Sequence, residues 1–78
     1  MEDKKQLRPL SMVRAGETVK LAGINAGQGL NSRLASMGLV PNVEITVVSN
    51  GRPGPFVISV KDSKMMLGRG IVQKIMVL

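Results

Sequence analysis

The chain has 78 residues, with eleven lysines and arginines against five acids, a formal net charge of +6, and neither cysteine nor histidine. A length of this order supports one small core that buries only about 60% of the unfolded surface, and without cysteine no disulfide framework or thiolate-bound zinc braces it. Absence of histidine and cysteine also removes the commonest general base and the most reactive nucleophile at neutral pH, so the composition speaks against an enzyme.

Met1 to Arg8 carry too much charge for the apolar region of a signal peptide and read as a flexible terminus, residues 1–8, ahead of a single domain over 9–78. No apolar run approaches the ~20 residues of a membrane span, which places the expected protein in the cytoplasm. Strands are expected over Ser11–Arg14 and Thr18–Ile24, separated by the Ala15-Gly16-Glu17 turn. A helix is expected over about 29–37, because Leu30, Leu34 and Met37 recur at i, i+4 and i+7 and so share a face that should pack on a sheet. Gly38 can adopt the left-handed conformation just past the helix, letting Leu39 fold back onto Leu34 in a Schellman-type closure, and Pro41 keeps the helix from resuming. The period then changes to two, with Val43, Ile45 and Val47 alternating with Asn42, Glu44 and Thr46, which predicts a strand over Val43–Ser49. Turn signals at Gly51–Pro55 and Lys61–Lys64 delimit further strands at Phe56–Lys61, Met65–Leu67 and Ile75–Leu78, with a short helical turn within Gly68–Lys74 before the last. The fold class is mostly β: short strands, frequent turns and one inserted helix suit a small, strongly bent barrel.

Arg33-Leu34-x-x-Met37-Gly38-Leu39-x-Pro41, followed by an alternating strand, resembles the core motif of the ferrous iron transport protein A (FeoA) family. Upstream, Leu10 to Glu17 and Val19 to Ile24 resemble that family's opening turn and first strands, and Ile71 to Val77 resembles its closing segment. The resemblance therefore covers the chain from about Leu10 to its end. Asn42 stands where the family usually has glycine after the proline, a mild departure because asparagine tolerates positive φ; Gly70 stands where alanine is frequent, which loosens the final turn. The resemblance implies an SH3-like barrel that serves as a small accessory protein of ferrous iron uptake. It would bind, and modulate or help assemble, a membrane iron permease with a cytoplasmic GTPase domain. No resident cofactor is implied, since the permease would handle the iron. Domains of the family also occur attached to metal-dependent transcriptional repressors, so the alternative implied is a free-standing regulatory module acting on such a regulator.

Other chemistries find less support. Glu2, Asp3, Glu17, Glu44 and Asp62 are scattered, which suits solvated charge better than a paired acid and base or a metal site. Gly27-Gln28-Gly29 lacks both the third glycine of a dinucleotide loop and the Gly-Lys-Ser/Thr of a P-loop. Met65 and Met66, as neighbours on a strand, point to opposite faces; one should fill the core while the exposed one would suit a protein interface.

From Gly51 onward, Arg52, Lys61, Lys64, Arg69 and Lys74 face the single acid Asp62, giving a basic face that serves either solubility or docking to an anionic membrane surface or acidic protein patch. Specific nucleic-acid binding is disfavoured because Phe56 is the only aromatic, and the same deficit argues against proline-rich peptides. The residues expected at a partner surface are Arg33, Leu39, Val40, Pro41, Met66 and Arg69, with the apolar corner Leu39-Val40-Pro41 giving specificity. Arg33 or Arg69 could in principle enter a GTPase site as an arginine finger, although an arginine at the edge of a helix or turn is usually a solvated charge. Exposed strand edges leave room for weak self-association.

Overall fold

Phe56-Val57-Ile58-Ser59-Val60 sends every second residue inward, and in the computed structural model, which describes residues 6–51 and 54–78, its Phe56, Ile58 and Val60 are buried. The elements run β1 (Arg8–Pro9), a 3-10 turn (Leu10–Met12), β2 (Thr18–Ile24), α1 (Gln28–Ser36), β3 (Glu44–Asn50), β4 (Phe56–Val60), β5 (Ser63–Leu67), α2 (Arg69–Val72) and β6 (Ile75–Val77). All pairings are antiparallel, in the order β1-β6-β2-β3-β4-β5. The expected architecture is therefore present: a small barrel with one inserted helix and a helical turn before the last strand.

Bending comes from β2 and β3. Thr18 to Lys20 of β2 pair with β3, whereas Leu21 to Ile24 pair with β6, and the register shifts between Leu21 and Gly23. A second irregularity falls between Val47 and Ser49 of β3, leaving Val48 exposed at the bulge. Bulges sharpen the local twist, and here they fold the sheet over its own inner face. That face is apolar: Val19 and Leu21 of β2, Ile45 and Val47 of β3, and Ile75 and Val77 of β6 join β4 and Leu67 in one cluster. No polar side chain is buried among the described residues, so the core relies on apolar burial throughout.

Several boundaries differ from the sequence reading for physical reasons. The segment Ser11–Arg14 is not a strand, because Leu10 and Val13 both enter the core and a three-residue spacing suits a 3-10 turn, closed by the Val13 N–H donating to the Leu10 carbonyl at 3.0 Å. Arg8 is not part of a loose terminus; it pairs with Val77 in β1, while residues 1–5 of the expected terminus lie outside the described residues. Lys61-Asp62 alone makes the β4–β5 turn, so β5 starts at Ser63, directly opposite Val60. Leu34 is the one buried residue of α1 and Leu30 is half-buried. Met37 leaves this stripe because it caps the helix with φ −91° and ψ 2°, and its side chain is 47% exposed.

Candidate partner-docking surface

The helix exit closes as expected. The Gly38 N–H donates to the Ala35 carbonyl at 3.0 Å and the Leu39 N–H to the Leu34 carbonyl at 2.9 Å, with Gly38 at φ +100°, which is the paired-bond pattern of the Schellman motif. Next, the Val43 N–H donates to the Val40 carbonyl at 3.1 Å across a turn with Pro41 and Asn42 at its centre, and Asn42 takes φ +74°. Proline followed by a positive-φ residue is the type II arrangement, and asparagine accommodates it. The turn is stitched to β2 on its inner side: the Asn42 N–H donates to the Leu21 carbonyl at 2.7 Å, and the Leu21 N–H to the Val43 carbonyl at 2.9 Å.

These bonds correct one of the expected contact residues. Leu39 is 1% exposed and belongs to the core, since the Schellman closure turns it inward; it is not available to a partner. What the corner does offer is Val40, 40% exposed, together with exposed Pro41, and exposed Arg33 on α1. The corner neighbours the β4–β5 hairpin, because a Cβ on Gly38 would lie 3.9 Å from the Val60 Cγ1, and a hollow of about 430 Å³ is lined by Val43 and Glu44 together with Ser59 and Lys61.

Lys61 and Lys64 on the hairpin, Arg69 at the start of α2, and Lys74 after it are all exposed; Asp62 is the one acid in sequence from Gly54 onward, and Glu44 of β3 lines the hollow beside Lys61. Arg52 of the expected basic face lies outside the described residues. The ion pair found joins Arg8 to Glu17 at 3.5 Å and involves none of those four cations. Met65 packs against the core and Met66 is 69% exposed, so the methionine pair splits between the two faces. That split prevents the two sulfurs from sharing a metal, and no cluster of three or more acids, histidines or cysteines exists among the described residues.

Met66 lies on the outer face of β5, whereas Arg69 belongs to α2. Arg69 lies on the rim of a cleft of about 560 Å³ at the seam between α2 and the 3-10 turn, where Phe56 and Leu67 line the wall. Met12, 66% exposed, lines the same cleft. Sequence reasoning missed Met12 because a strand reading of Ser11–Arg14 gave it no special exposure; the i, i+3 spacing of Leu10 and Val13 was the available signal.

The FeoA domain family model matches residues 8–78 of the chain. The chain belongs to this family. A putative Fe(2+) transport protein A from Methanocaldococcus jannaschii is 42% identical over 69 residues, covering 88% of this chain and 83% of that protein. Among solved structures, an iron uptake regulatory protein (FeoA) superposes with a TM-score of 0.83 at 31% identity, covering 95% of this chain and 97% of that one. A manganese-dependent transcriptional repressor reaches a TM-score of 0.84 at 23% identity, covering 97% of this chain but only 43% of its own, and this likeness is one of fold. The FeoA match begins at Arg8, the first residue of β1, in agreement with the pairing that ties that residue to Val77. This FeoA domain has the SH3-like barrel of its relatives, and none of its described helices is long and apolar enough to cross a membrane.

Proposed function

We propose that this FeoA domain is an accessory protein of ferrous iron uptake that binds the cytoplasmic part of a GTP-dependent membrane iron permease and shifts its conformational balance or its assembly. The observation that carries this reading is membership of the FeoA family along residues 8–78, with a relative described as an Fe(2+) transport protein. The surface supports a binding role: Lys61, Lys64, Arg69 and Lys74 are exposed and form no ion pair among the described residues, and Val40, Pro41 and Met66 are exposed apolar residues. A protein that binds one permease conformation more tightly than another shifts the equilibrium by that difference in affinity, with no chemistry of its own. Iron is cargo on this reading, held by the permease.

The test is ferrous iron uptake under reducing conditions in cells lacking the protein, with permease abundance fixed from an independent promoter. Lost uptake that returns with the wild-type protein supports the reading; unchanged uptake refutes it. The alternative role, regulation of a metal-dependent repressor, has the shared fold behind it. Copurification with a repressor in place of the permease would bring it forward.

A further inference from the structure

β5 lies at the end of the strand order and pairs on one side only, with β4. Because the two-residue turn Lys61-Asp62 joins Val60 to Ser63, those two form the hydrogen-bonded pair that closes the hairpin. Hydrogen bonding alternates along an antiparallel ladder, so Ser63, Met65 and Leu67 bond to β4 while the N–H and C=O groups of Lys64 and Met66 point away from it. None of the turn, loop or side-chain hydrogen bonds among the described residues reaches Lys64 or Met66. The side chains of these same two residues share the outer face, since Met65 and Leu67 face the core.

We propose that this edge of β5 is a docking strand that takes an extended acidic segment of the permease by strand addition. The proposal rests on the permease reading above and adds the mode of contact and the chemistry of the partner segment. Charge complementarity selects the occupant: exposed Lys64 lies on the edge and exposed Arg69 just past its end, neither in an ion pair among the described residues, while Lys61 in the turn has Asp62 next to it and Glu44 in the hollow beside it. An incoming strand would complete the ladder at Lys64 and Met66 and place an acid opposite Lys64 and an apolar residue two positions away opposite Met66. A second copy of the chain is disfavoured as occupant because each copy carries +6. A lipid surface could neutralise the lysines but cannot pair an open strand. A lysine on an edge strand can also act simply as a guard against self-pairing, and that role predicts different results.

The experiment is titration of the labelled protein with the full-length permease in detergent, following binding and amide hydrogen exchange together. Expected are slowed exchange at the Lys64 and Met66 amides on binding, and about tenfold or greater weakening in Lys64→Glu and in Met66→Pro. Proline at position 66 removes only an outward N–H, so the β4 ladder should keep its protection; Lys64→Glu leaves the backbone intact and serves if the proline variant does not fold. Binding without protection at these amides, or undiminished in both variants, overturns the docking strand and leaves the permease reading standing. No binding by the wild-type protein overturns the permease reading and this proposal with it. Self-association of Lys64→Glu with wild-type permease affinity would assign Lys64 to guarding the edge and likewise overturn the proposal.

Discussion

The amide of Leu39 donates to the carbonyl of Leu34 at 2.9 Å, and this bond carries Leu39 from the helix exit into the interior, where it is 1% exposed. The FeoA motif Arg33-Leu34-x-x-Met37-Gly38-Leu39-x-Pro41 is therefore first a folding device. Leu39→Ala should lower the unfolding free energy by about 2–5 kcal/mol, the usual cost of truncating a buried leucine. Leu39→Asp should fail to fold, since no polar partner exists in this core. Val40→Asp, one residue on and 40% exposed, should stay within about 0.5 kcal/mol of wild type. Urea denaturation followed by circular dichroism ranks the three; equal stability of Leu39→Asp and Val40→Asp would refute the inward placement.

Two positive-φ positions should respond with opposite sign. Gly38 sits at φ +100° and an added Cβ would meet only ordinary contact with Val60 at 3.9 Å, so Gly38→Ala tests the backbone alone and should cost about 1–2 kcal/mol. Lys61 sits at φ +57° in the β4–β5 turn, where a side chain is disfavoured. Lys61→Gly should gain up to about 1 kcal/mol once the extra chain entropy of glycine is set against the relieved conformation. In a domain of this size each kcal/mol moves the melting temperature by about 4–8 °C. A thermal melt of the two variants should show one shift down and one up.

Glu17 serves two donors with one oxygen: its Oε1 lies 3.5 Å from the Arg8 Nη2 and 3.1 Å from the Arg14 N. Both side chains of the ion pair are substantially exposed, so the charge itself contributes little. Glu17→Gln keeps an acceptor for the Arg14 amide and should cost well under about 1 kcal/mol. Glu17→Ala loses both bonds and should cost more. Repeating the denaturation at 1 M salt should erase the difference between wild type and Glu17→Gln while leaving the alanine deficit.

Most of the barrel was legible because period and punctuation agree. Ile45 and Val47, Phe56 and Ile58, and Ile75 and Val77 alternate with outward residues as a strand demands, and Gly38 and Pro41 end the helix by their own backbone limits. The failures share a cause: direction changes that depend on tertiary partners. Nothing local marks Arg8–Pro9 as a strand; it is one because β6 offers an edge to Arg8 and Pro9. Leu39 looked like a surface corner because its burial needs the sheet beneath it. The open edge of β5 was equally hidden, since strand order is set by where β1 and β6 pair. Motif reading thus found the family and the corner, while the contact surface had to wait for topology.

Asn31 shows how a polar residue invisible to motif reading holds the entry to the helix. Its Nδ2 donates to the carbonyls of Ala26 at 2.8 Å, Gly27 at 3.2 Å and Ile24 at 3.4 Å, tying α1 back onto the loop that leaves β2. The same loop is anchored to the α2–β6 connection by the Asn25 N–H, which donates to the Lys74 carbonyl at 2.7 Å. Asn31→Ala removes the donor from three acceptors and should cost about 1–2 kcal/mol. Asn31→Asp is nearly isosteric yet should cost more at neutral pH, because a carboxylate would face three carbonyl oxygens. Folding then favours the protonated acid, so its pKa in the folded variant is raised above the unfolded value of about 3.9. Stability should accordingly recover as pH falls through the raised value and level off below about 3.9, where the acid is protonated in both states and its single O–H can donate to the loop. Denaturant midpoints of the two variants measured from neutral to acid pH, each relative to wild type, give the test. Asn31→Asp should start below Asn31→Ala and cross above it in acid, and parallel curves would show that Asn31 does not donate to that loop.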